Sequence, residues 1–167
     1  LKIMVLHIYL KVLYINFSYA IIKYEVNMKQ ALYRKYRPSD FDKIYGQDNI
    51  VNILKNQIKN NNISHAYIFS GTRGTGKTST AKIFAKAVNC LNPQDGNPCN
   101  ECENCRAIIK EQTMDIVEMD AASNRRIDDI RQLRDQVIYP PTMLKYKVYI
   151  IDEAHMITNE GFNALLK

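Results

Sequence analysis

Residues Gly71-Thr72-Arg73-Gly74-Thr75-Gly76-Lys77-Thr78 form the stretch that decides the fold of this chain. They match the pattern G-x-x-x-x-G-K-[ST] at every fixed position, with an apolar run before them and a helical pattern after them. In such a loop the glycines let successive backbone N–H groups turn toward an anion, and the dipole of the following helix adds positive charge. The stretch therefore predicts a phosphate-binding loop between a strand and a helix.

Two side chains of this loop have specific expected roles. We expect Lys77 to reach the β- and γ-phosphates of a nucleotide and Thr78 to ligate Mg²⁺. ATP and Mg²⁺ are the ligands that this prediction implies. The remaining predicted nucleotide-binding residues are Gly71, Thr72, Arg73, Gly74, Thr75, Gly76 and Ser79.

Strands and helices alternate around the loop. Short apolar runs predict strands at residues 66–69, 116–119 and 148–151. Apolar residues at helical spacing predict helices at residues 48–60, 77–88, 102–111 and 127–137. The run 148–151 is apolar throughout, which is typical of a parallel strand covered on both faces. The alternation predicts a doubly wound α/β fold with a parallel sheet flanked by helices.

Two acidic residues, Asp152 and Glu153, end the apolar run that starts at Val148. In phosphate-loop nucleotidases an acid at this place holds Mg²⁺, and we assign that role to Asp152. Glu153 is placed to take a proton from the attacking water as a general base. His155 completes the letters D-E-A-H, but we assign it no catalytic role because a single histidine after a strand is more often structural.

All four cysteines lie in one window, Cys90, Cys99, Cys102 and Cys105. Four thiolates can enclose Zn²⁺ tetrahedrally with no open position, so we predict a structural zinc module at residues 90–105. The insert has few core-forming residues, and metal would supply its folding energy as a satellite of the sheet. Disulfides are the first alternative, disfavoured beside an ATP site that implies a reducing compartment. An iron–sulfur cluster is the second, disfavoured because no Cys-Pro follows.

The whole chain has 167 residues, a formal charge of +6 and ordinary apolar content. These values argue against a disordered chain, and no run reaches the roughly 18 apolar residues of a membrane-spanning helix. Residues 1–27 are rich in isoleucine and tyrosine, and four of their tyrosines recur every five residues, a spacing that fits neither a helix nor a strand. A signal peptide or anchor is the alternative for this segment, disfavoured because no A-x-A-like cleavage site follows its apolar run. We interpret residues 1–27 as an extension outside the fold and residues 28–167 as the nucleotide-binding domain.

Taken together, these motifs resemble the gamma/tau subunits of bacterial DNA polymerase III, the ATPases of the clamp loader. The likeness runs from about Ala31 to Lys167 and includes the phosphate loop, the spacing of the four cysteines and the acidic strand end. A cysteine module just after the phosphate-loop helix is the most specific of these features. Further matching segments are Arg34-Lys35-Tyr36-Arg37-Pro38, Gly46-Gln47, His65-Ala66-Tyr67, Asp120-Ala121-Ala122-Ser123 and Phe162-Asn163-Ala164-Leu165-Leu166-Lys167.

The resemblance implies an AAA+ ATPase that works in the cytoplasm, without a membrane, in a hetero-pentamer with other clamp-loader subunits. Such a loader opens a sliding clamp and places it on primed DNA. Arg37 and Pro38 would belong to the adenine pocket, and Arg125 and Arg126 would face the DNA backbone. The sensor, the arginine supplied in trans, the lid and the collar would follow Lys167. The domain would therefore be incomplete at its C-terminus, and this stretch alone would hydrolyse ATP poorly.

Two other functions stay open at the level of sequence. The letters Asp152-Glu153-Ala154-His155 also occur in a class of helicases, but the cysteine module and residues 34–38 do not fit that class. A nonhydrolysing clamp-loader scaffold is the second alternative, and Lys77, Thr78 and Glu153 argue against it. For Arg125 and Arg126, a solvated helix start capped by Ser123 or Asn124 competes with DNA contact.

Overall fold

The computed structural model describes residues 36–123 and 127–165. The predicted extension at residues 1–27 lies outside these residues. So do Arg34 and Lys35, and so do the proposed DNA contacts Arg125 and Arg126. The expectations for these positions stay predictions.

The described residues form five α-helices, two 3₁₀ turns and two strands. The helices are α1 Asp48–Lys59, α2 Lys77–Val88, α3 Glu103–Ile109, α4 Ile127–Val137 and α5 Asn159–Leu165. The strands are β1 Ile116–Asp120 and β2 Val148–Asp152, and the 3₁₀ turns are Phe41–Lys43 and Ala154–Met156. The four helices and the last two strands predicted from sequence are confirmed. Among the described helices, none is long and apolar enough to cross a membrane.

Strands β1 and β2 pair in parallel, and Ile116 lies opposite Val148 while Asp120 lies opposite Asp152. The connection between them runs through α4, as a parallel pair requires a crossover. Helix α2 packs against β2, and α4 packs against α5. The prediction of a parallel sheet flanked by helices is confirmed for these strands, and both strands end at the edge that carries Asp152.

Two apolar clusters cover the two sides of the sheet. The larger one joins the 3₁₀ turn, α1 and α2 through Phe41, Leu54 and Phe84, with Val148 of β2 packed against it. Within this cluster the ring of Tyr67 meets that of Phe84 edge-on at 4.7 Å between centroids. The smaller cluster consists of Ala121, Ile130 and Ile157, with Met119, Ile151 and Met156 packed against it.

The strand predicted at residues 66–69 is wrong for the described structure, which assigns no strand there. Tyr67 and Phe69 pack against the larger cluster, whereas Ile68 is 94% exposed. The side chains thus alternate as a strand's would. However, within the described residues no hydrogen-bonded neighbour pairs with this segment. A strand is stabilised by its ladder, so apolar alternation alone did not produce one.

The prediction that the cysteine module is a satellite of the sheet is also wrong. The N–H of Phe41, a fully buried core residue, donates to Asn97 Oδ1 at 3.0 Å. Lys86 of α2 donates from its Nζ to Asn100 Oδ1 and to Ser39 O. Since these bonds connect the module to the core elements, the module is part of the domain's packing.

Asp115, just before β1, is a buried carboxylate that holds the segment leading into β2. Its oxygens accept hydrogen bonds from the N–H groups of Thr142, Met143 and Leu144 at 2.7–2.9 Å, and from Thr142 Oγ1 at 3.2 Å. Burial raises the pKa of Asp115, but these hydrogen bonds outweigh burial and hold the pKa below its ordinary value. The ionised carboxylate therefore stabilises the approach of the two strands.

We expect Asp115→Asn to lower the free energy of unfolding by about 1–3 kcal/mol at pH 7, because an amide NH₂ then faces backbone donors. The lowered pKa means that the wild-type contribution is present above the unfolded-state pKa and is lost as the pH falls through the folded-state pKa. The difference in the free energy of unfolding between wild type and variant should therefore become smaller below about pH 4. Urea denaturation at pH 7 and pH 3 measures both effects.

Asp135→Asn is the matched control, since Asp135 is exposed and pairs only with its neighbour Arg134 in the contacts described. This control should change stability by less than about 0.5 kcal/mol. The role assigned to the carboxylate would be contradicted if the free energies of unfolding of Asp115→Asn and wild type differed as much at pH 3 as at pH 7.

Candidate functional site

The phosphate loop leads directly into the N-terminus of α2. Gly76 is the N-cap, with φ 83° and ψ 12°, and no side chain caps the helix. This left-handed conformation favours glycine, and a Cβ at Gly76 would meet no atom within 4 Å, so the backbone conformation alone requires glycine here. The N–H groups of the first turn of α2 thus have no side-chain cap and provide an anion-binding surface.

Lys77 reaches back over the loop that precedes it. Its Nζ donates to Gly71 O at 2.9 Å and to Thr72 O at 2.8 Å. Thr75 Oγ1 donates to the same Thr72 carbonyl at 2.9 Å. These bonds place an ammonium group inside the ring of the loop, where the pattern of residues predicts phosphate oxygens.

Thr78 and Asp152 meet although they are 74 residues apart in the chain. Thr78 Oγ1, in the first turn of α2, donates to Asp152 Oδ2 at 3.0 Å. The other carboxylate oxygen, Oδ1, accepts the N–H of Glu153 at 3.0 Å. The structure therefore brings together the hydroxyl and the carboxylate that the sequence predicts as Mg²⁺ ligands.

Glu153 follows β2 in an unusual backbone conformation. Its φ of 51° and ψ of 40° lie in the left-handed region, which non-glycine residues rarely occupy. Its Oε2 lies 3.3 Å from Nδ1 of His155, and both side chains are more than half exposed. Such a conformation costs free energy, and backbone strain of this kind clusters at functional sites. His155 therefore contacts the predicted general base, a contact that the sequence analysis did not assign.

A cavity of about 580 Å³ lies between α1 and the segment that enters the phosphate loop. Residues of the loop line one side of it and residues of α1 line the other. Arg37 and Pro38, predicted to belong to the adenine pocket, are not among its lining residues. The lining includes Gln47, Ile50, Ile53, Leu54 and Gln57 from α1 and its N-cap, and Gly71, Thr72, Thr75, Lys77 and Thr80 from the loop and α2.

Most of the α1 residues of this cavity were missed by the sequence analysis as site residues. Ile50 and Leu54 belong to the apolar positions at helical spacing that predict the helix at residues 48–60. Their i, i+4 spacing extends on the same face to Ile53 and Gln57, which are three residues beyond them. A polar glutamine on an apolar stripe was the available signal that this face borders a cavity.

The four cysteine sulfurs converge. All four Sγ atoms lie within 4.8 Å of one another, and the closest pairs are 3.4 Å and 4.0 Å apart. Tetrahedral Zn²⁺ with bonds of about 2.3 Å separates its sulfur ligands by about 3.8 Å. All four cysteines are free, and these separations exceed the roughly 2.05 Å of a disulfide. The cluster fits the size of a four-thiolate metal site.

Backbone donors surround the cluster. The N–H groups of Cys99, Cys102 and Cys105 donate to the sulfurs of Cys90, Cys99 and Cys102 at 3.3–3.4 Å. Burial raises the pKa of Cys102, but the hydrogen bonds to its sulfur outweigh burial and lower that pKa to about 6. Burial raises the pKa of Cys90 and of Cys105, which is fully buried. Donors that stabilise thiolate are what a metal ligand needs.

Comparison with known proteins adds the family. The model of the family described as DNA polymerase III, delta subunit matches residues 46–167, nearly three quarters of the chain. The chain is 54% identical over 138 residues to DNA polymerase III subunit tau of Bacillus subtilis. The aligned residues are 83% of this chain and 24% of that protein. It is 50% identical over 138 residues to DNA polymerase III subunit tau/gamma of Haemophilus influenzae, covering 83% of this chain and 20% of the relative.

The gamma/tau subunit of Mycoplasma pneumoniae is similar to the same degree, 51% identical over 140 residues. The chain thus spans about a fifth to a quarter of the length of these curated relatives. The matched residues include both the phosphate loop and the four cysteines. This chain belongs to the family described as DNA polymerase III, delta subunit, and the curated relatives that it resembles are the DNA polymerase III subunits named tau and gamma/tau.

Proposed function

We propose that this protein binds and hydrolyses ATP as a motor subunit of the bacterial DNA polymerase III clamp loader. The observation that carries the proposal is the 3.0 Å hydrogen bond between Thr78 Oγ1 and Asp152 Oδ2. It joins the N-terminus of α2 to the carboxyl end of β2, which is where a bound nucleotide and its Mg²⁺ would need both groups. Family membership supports the replicative context.

In this proposal the loop residues Gly71–Ser79 bind the phosphates. The uncapped N–H groups at the start of α2 would donate to phosphate oxygens, and Lys77 would exchange its two carbonyl acceptors for the β- and γ-phosphates. The cavity beside the loop would receive the rest of the nucleotide against α1. Arg37 and Pro38 remain the adenine contacts that the resemblance implies, at the N-terminal end of the described residues.

Asp152 and Glu153 divide the chemistry between them. Thr78 and Asp152 would hold Mg²⁺, which when bound supplies positive charge against the phosphate oxygens. Glu153 would take a proton from the water whose oxygen attacks the γ-phosphorus as the bridging P–O bond breaks. The separation of roles is consistent with the geometry, because Asp152 accepts hydrogen bonds on both oxygens whereas the carboxylate of Glu153 is exposed.

The proposed partners follow from the family rather than from the geometry. We infer a cytoplasmic hetero-pentamer with other clamp-loader subunits that opens a sliding clamp and places it on primed DNA. A DEAH-type helicase is disfavoured by the family of the curated relatives. The nonhydrolysing scaffold differs from the motor only in turnover, so the experiments on ATP hydrolysis decide between them.

For the four cysteines we propose structural Zn²⁺. The sulfur separations suit its tetrahedral coordination, and four thiolate ligands leave no open position for a substrate. Bound zinc would neutralise the thiolates and hold the two ends of the module together.

Lys77→Ala and Glu153→Gln should separate ATP binding from turnover. Lys77→Ala removes the charge that faces the phosphates, so both nucleotide affinity and hydrolysis should fall. Glu153→Gln keeps the side-chain shape but cannot take a proton, so ATP should still bind while hydrolysis falls by about 10²–10⁴-fold. Equilibrium titration with ATP and steady-state phosphate release in the assembled loader measure the two effects.

Glu160→Gln is the matched control for Glu153→Gln, because Glu160 is an exposed glutamate in the first turn of α5. Its turnover should equal that of the wild type. Unchanged hydrolysis in Glu153→Gln would refute the general-base assignment, and wild-type binding without any turnover in the loader would establish the scaffold instead.

One zinc ion per chain should copurify with the freshly reduced protein. Cys102→Ser should lose most of that zinc, since it replaces one of four thiolates with a hydroxyl that binds Zn²⁺ weakly. Elemental analysis of both proteins gives the stoichiometry directly. Iron in place of zinc, or reduced wild-type protein without metal, would overturn the assignment.

Arg125→Ala or Arg126→Ala should weaken binding of the assembled loader to primed DNA without changing sequence preference. Each phosphate contact that is lost should reduce the slope of log affinity against log salt by roughly one unit. Lys110→Ala, at an exposed position after α3, serves as the control and should leave the slope unchanged. Wild-type slopes in both arginine variants would leave only the capped-helix interpretation.

A further inference from the structure

The tip of the cysteine module is a tight turn formed by residues 94–97, here called the module tip. Gln94 and Asn97 exchange two backbone hydrogen bonds at 3.0 Å and 2.8 Å. The central residues Asp95 and Gly96 both have positive φ, 52° and 78°. Asp-Gly is the pair that suits a hairpin turn with positive φ at both positions, so this part of the module has a defined local structure.

The module tip packs directly on the backbone of α1. A Cβ at Gly96 would lie 2.8 Å from both Cα and O of Lys55, closer than real Cβ contacts come. The carboxylate of Asp95 pairs with Lys59 and lies 3.7 Å from Nζ of Lys55. Lys55 also pairs with Asp42, and its side chain is only 12% exposed. The absence of a side chain at Gly96 thus allows close contact with α1, and the charge of Asp95 stabilises that contact.

Helix α1 separates the module tip from the nucleotide cavity. At about 100° per residue, Lys55 and Lys59 lie roughly 140° and 180° around the helix axis from Ile50. Ile50 lines the cavity together with Leu54 and Gln57 of the same helix. The contacts of the tip and the lining of the cavity are therefore on opposite faces of α1, and a shift of the tip would move the cavity wall.

The cysteines close the module at its base. Cys90 and Cys99 flank the segment that contains the tip, and their sulfurs are 3.4 Å apart. An open loop has to be ordered at a cost in conformational entropy. A metal bound to all four sulfurs would close the segment at its base and remove much of that cost, so it would favour the ordered position of the tip.

We propose that the cysteine module is a positioning element for the nucleotide cavity, with Gly96 and Asp95 fixing α1 from the side opposite to the bound nucleotide. This inference rests on the proposed nucleotide site. It makes zinc binding and ATP binding thermodynamically coupled. Because such coupling is reciprocal, bound ATP must raise the affinity for zinc by the same factor by which bound zinc raises the affinity for ATP.

Gly96→Ala and Asp95→Asn in the full chain test this coupling. Gly96→Ala inserts a methyl group against the backbone of Lys55. Asp95→Asn keeps a residue that tolerates positive φ but removes the charge that faces Lys55 and Lys59. Asp135→Asn, a charge-matched change on α4, is the control. Five quantities are measured: zinc content, the dissociation constant for ATP, KM for ATP, kcat, and the rate of zinc transfer to a chromogenic chelator with and without ATP.

We expect Gly96→Ala to retain one zinc per chain, to weaken ATP binding and raise KM by about fivefold or more, and to change kcat by less than about twofold. Saturating ATP should slow zinc transfer from the wild type and from Asp135→Asn, but not from Gly96→Ala. Asp95→Asn should change in the same direction by a smaller factor, and it decides the question if Gly96→Ala does not fold.

Zinc-loaded variants with wild-type ATP affinity, or zinc transfer from the wild type that ATP does not slow, would overturn the positioning role and leave the nucleotide site standing. Wild-type protein that holds zinc but binds no ATP would overturn the proposed function itself. The two failures are therefore distinguishable in one set of measurements.

Discussion

The burial of the C-terminal half of α2 is the constraint on which the rest of the structure depends. Seven consecutive residues, Ile83 to Asn89, are buried, so this part of the helix is covered on every side. A helix enclosed in this way cannot shift without exposing apolar surface or breaking close packing. Both of its ends are therefore fixed in space. Its N-terminus presents the phosphate loop and brings Thr78 to Asp152, and its C-terminus leads straight into Cys90.

Polar groups at the C-terminal end of α2 form hydrogen bonds that fix which segments pack around this helix. Asn89 is almost fully buried, and its Oδ1 accepts the N–H of Tyr146 at 2.7 Å while its carbonyl accepts Nδ2 of Asn104 at 2.8 Å. Burial lowers the pKa of Lys86, which donates to acceptors in the N-terminal segment and in the cysteine module. Removing a partner from such a group leaves an unsatisfied buried donor or acceptor, which is costly. These bonds join the segment before β2, α3 and the module to one helix.

This arrangement is the basis for the proposed coupling of the two candidate sites. The phosphate loop and the cysteines are attached to opposite ends of α2, and the module tip returns to α1, which forms a wall of the nucleotide cavity. The proposed zinc would therefore do more than stabilise the fold of the cysteine module. In the proposal it would set the position of a helix that lines the candidate nucleotide cavity, while the proposed chemistry stays with Thr78, Asp152 and Glu153.

Local patterns were sufficient to predict most of the helices and both strands that the described residues form. The helices α1, α2 and α4 follow from the spacing of their apolar residues, and β1 and β2 from short apolar runs. The segment at Tyr67–Phe69 has the same kind of pattern and forms no strand in the described residues. A strand needs a hydrogen-bonded partner strand, and the apolar pattern of one segment does not reveal whether such a partner exists. The same reasoning explains the cysteine module. Its composition suggested a loose satellite, whereas single contacts of Gly96 and Asn97 dock it on α1 and the turn at Phe41.

By itself, the sequence determined the candidate phosphate loop, the identity of the four candidate metal ligands, the acidic end of β2 and the family resemblance, because each is a short-range pattern of residue types with its own chemistry. Only the tertiary structure decided that Thr78 meets Asp152, that the sulfurs converge at metal-site distances and that Gly96 touches the backbone of Lys55. These are contacts between residues far apart in the chain or on different elements. Packing around a buried helix sets such distances, and no local pattern encodes them.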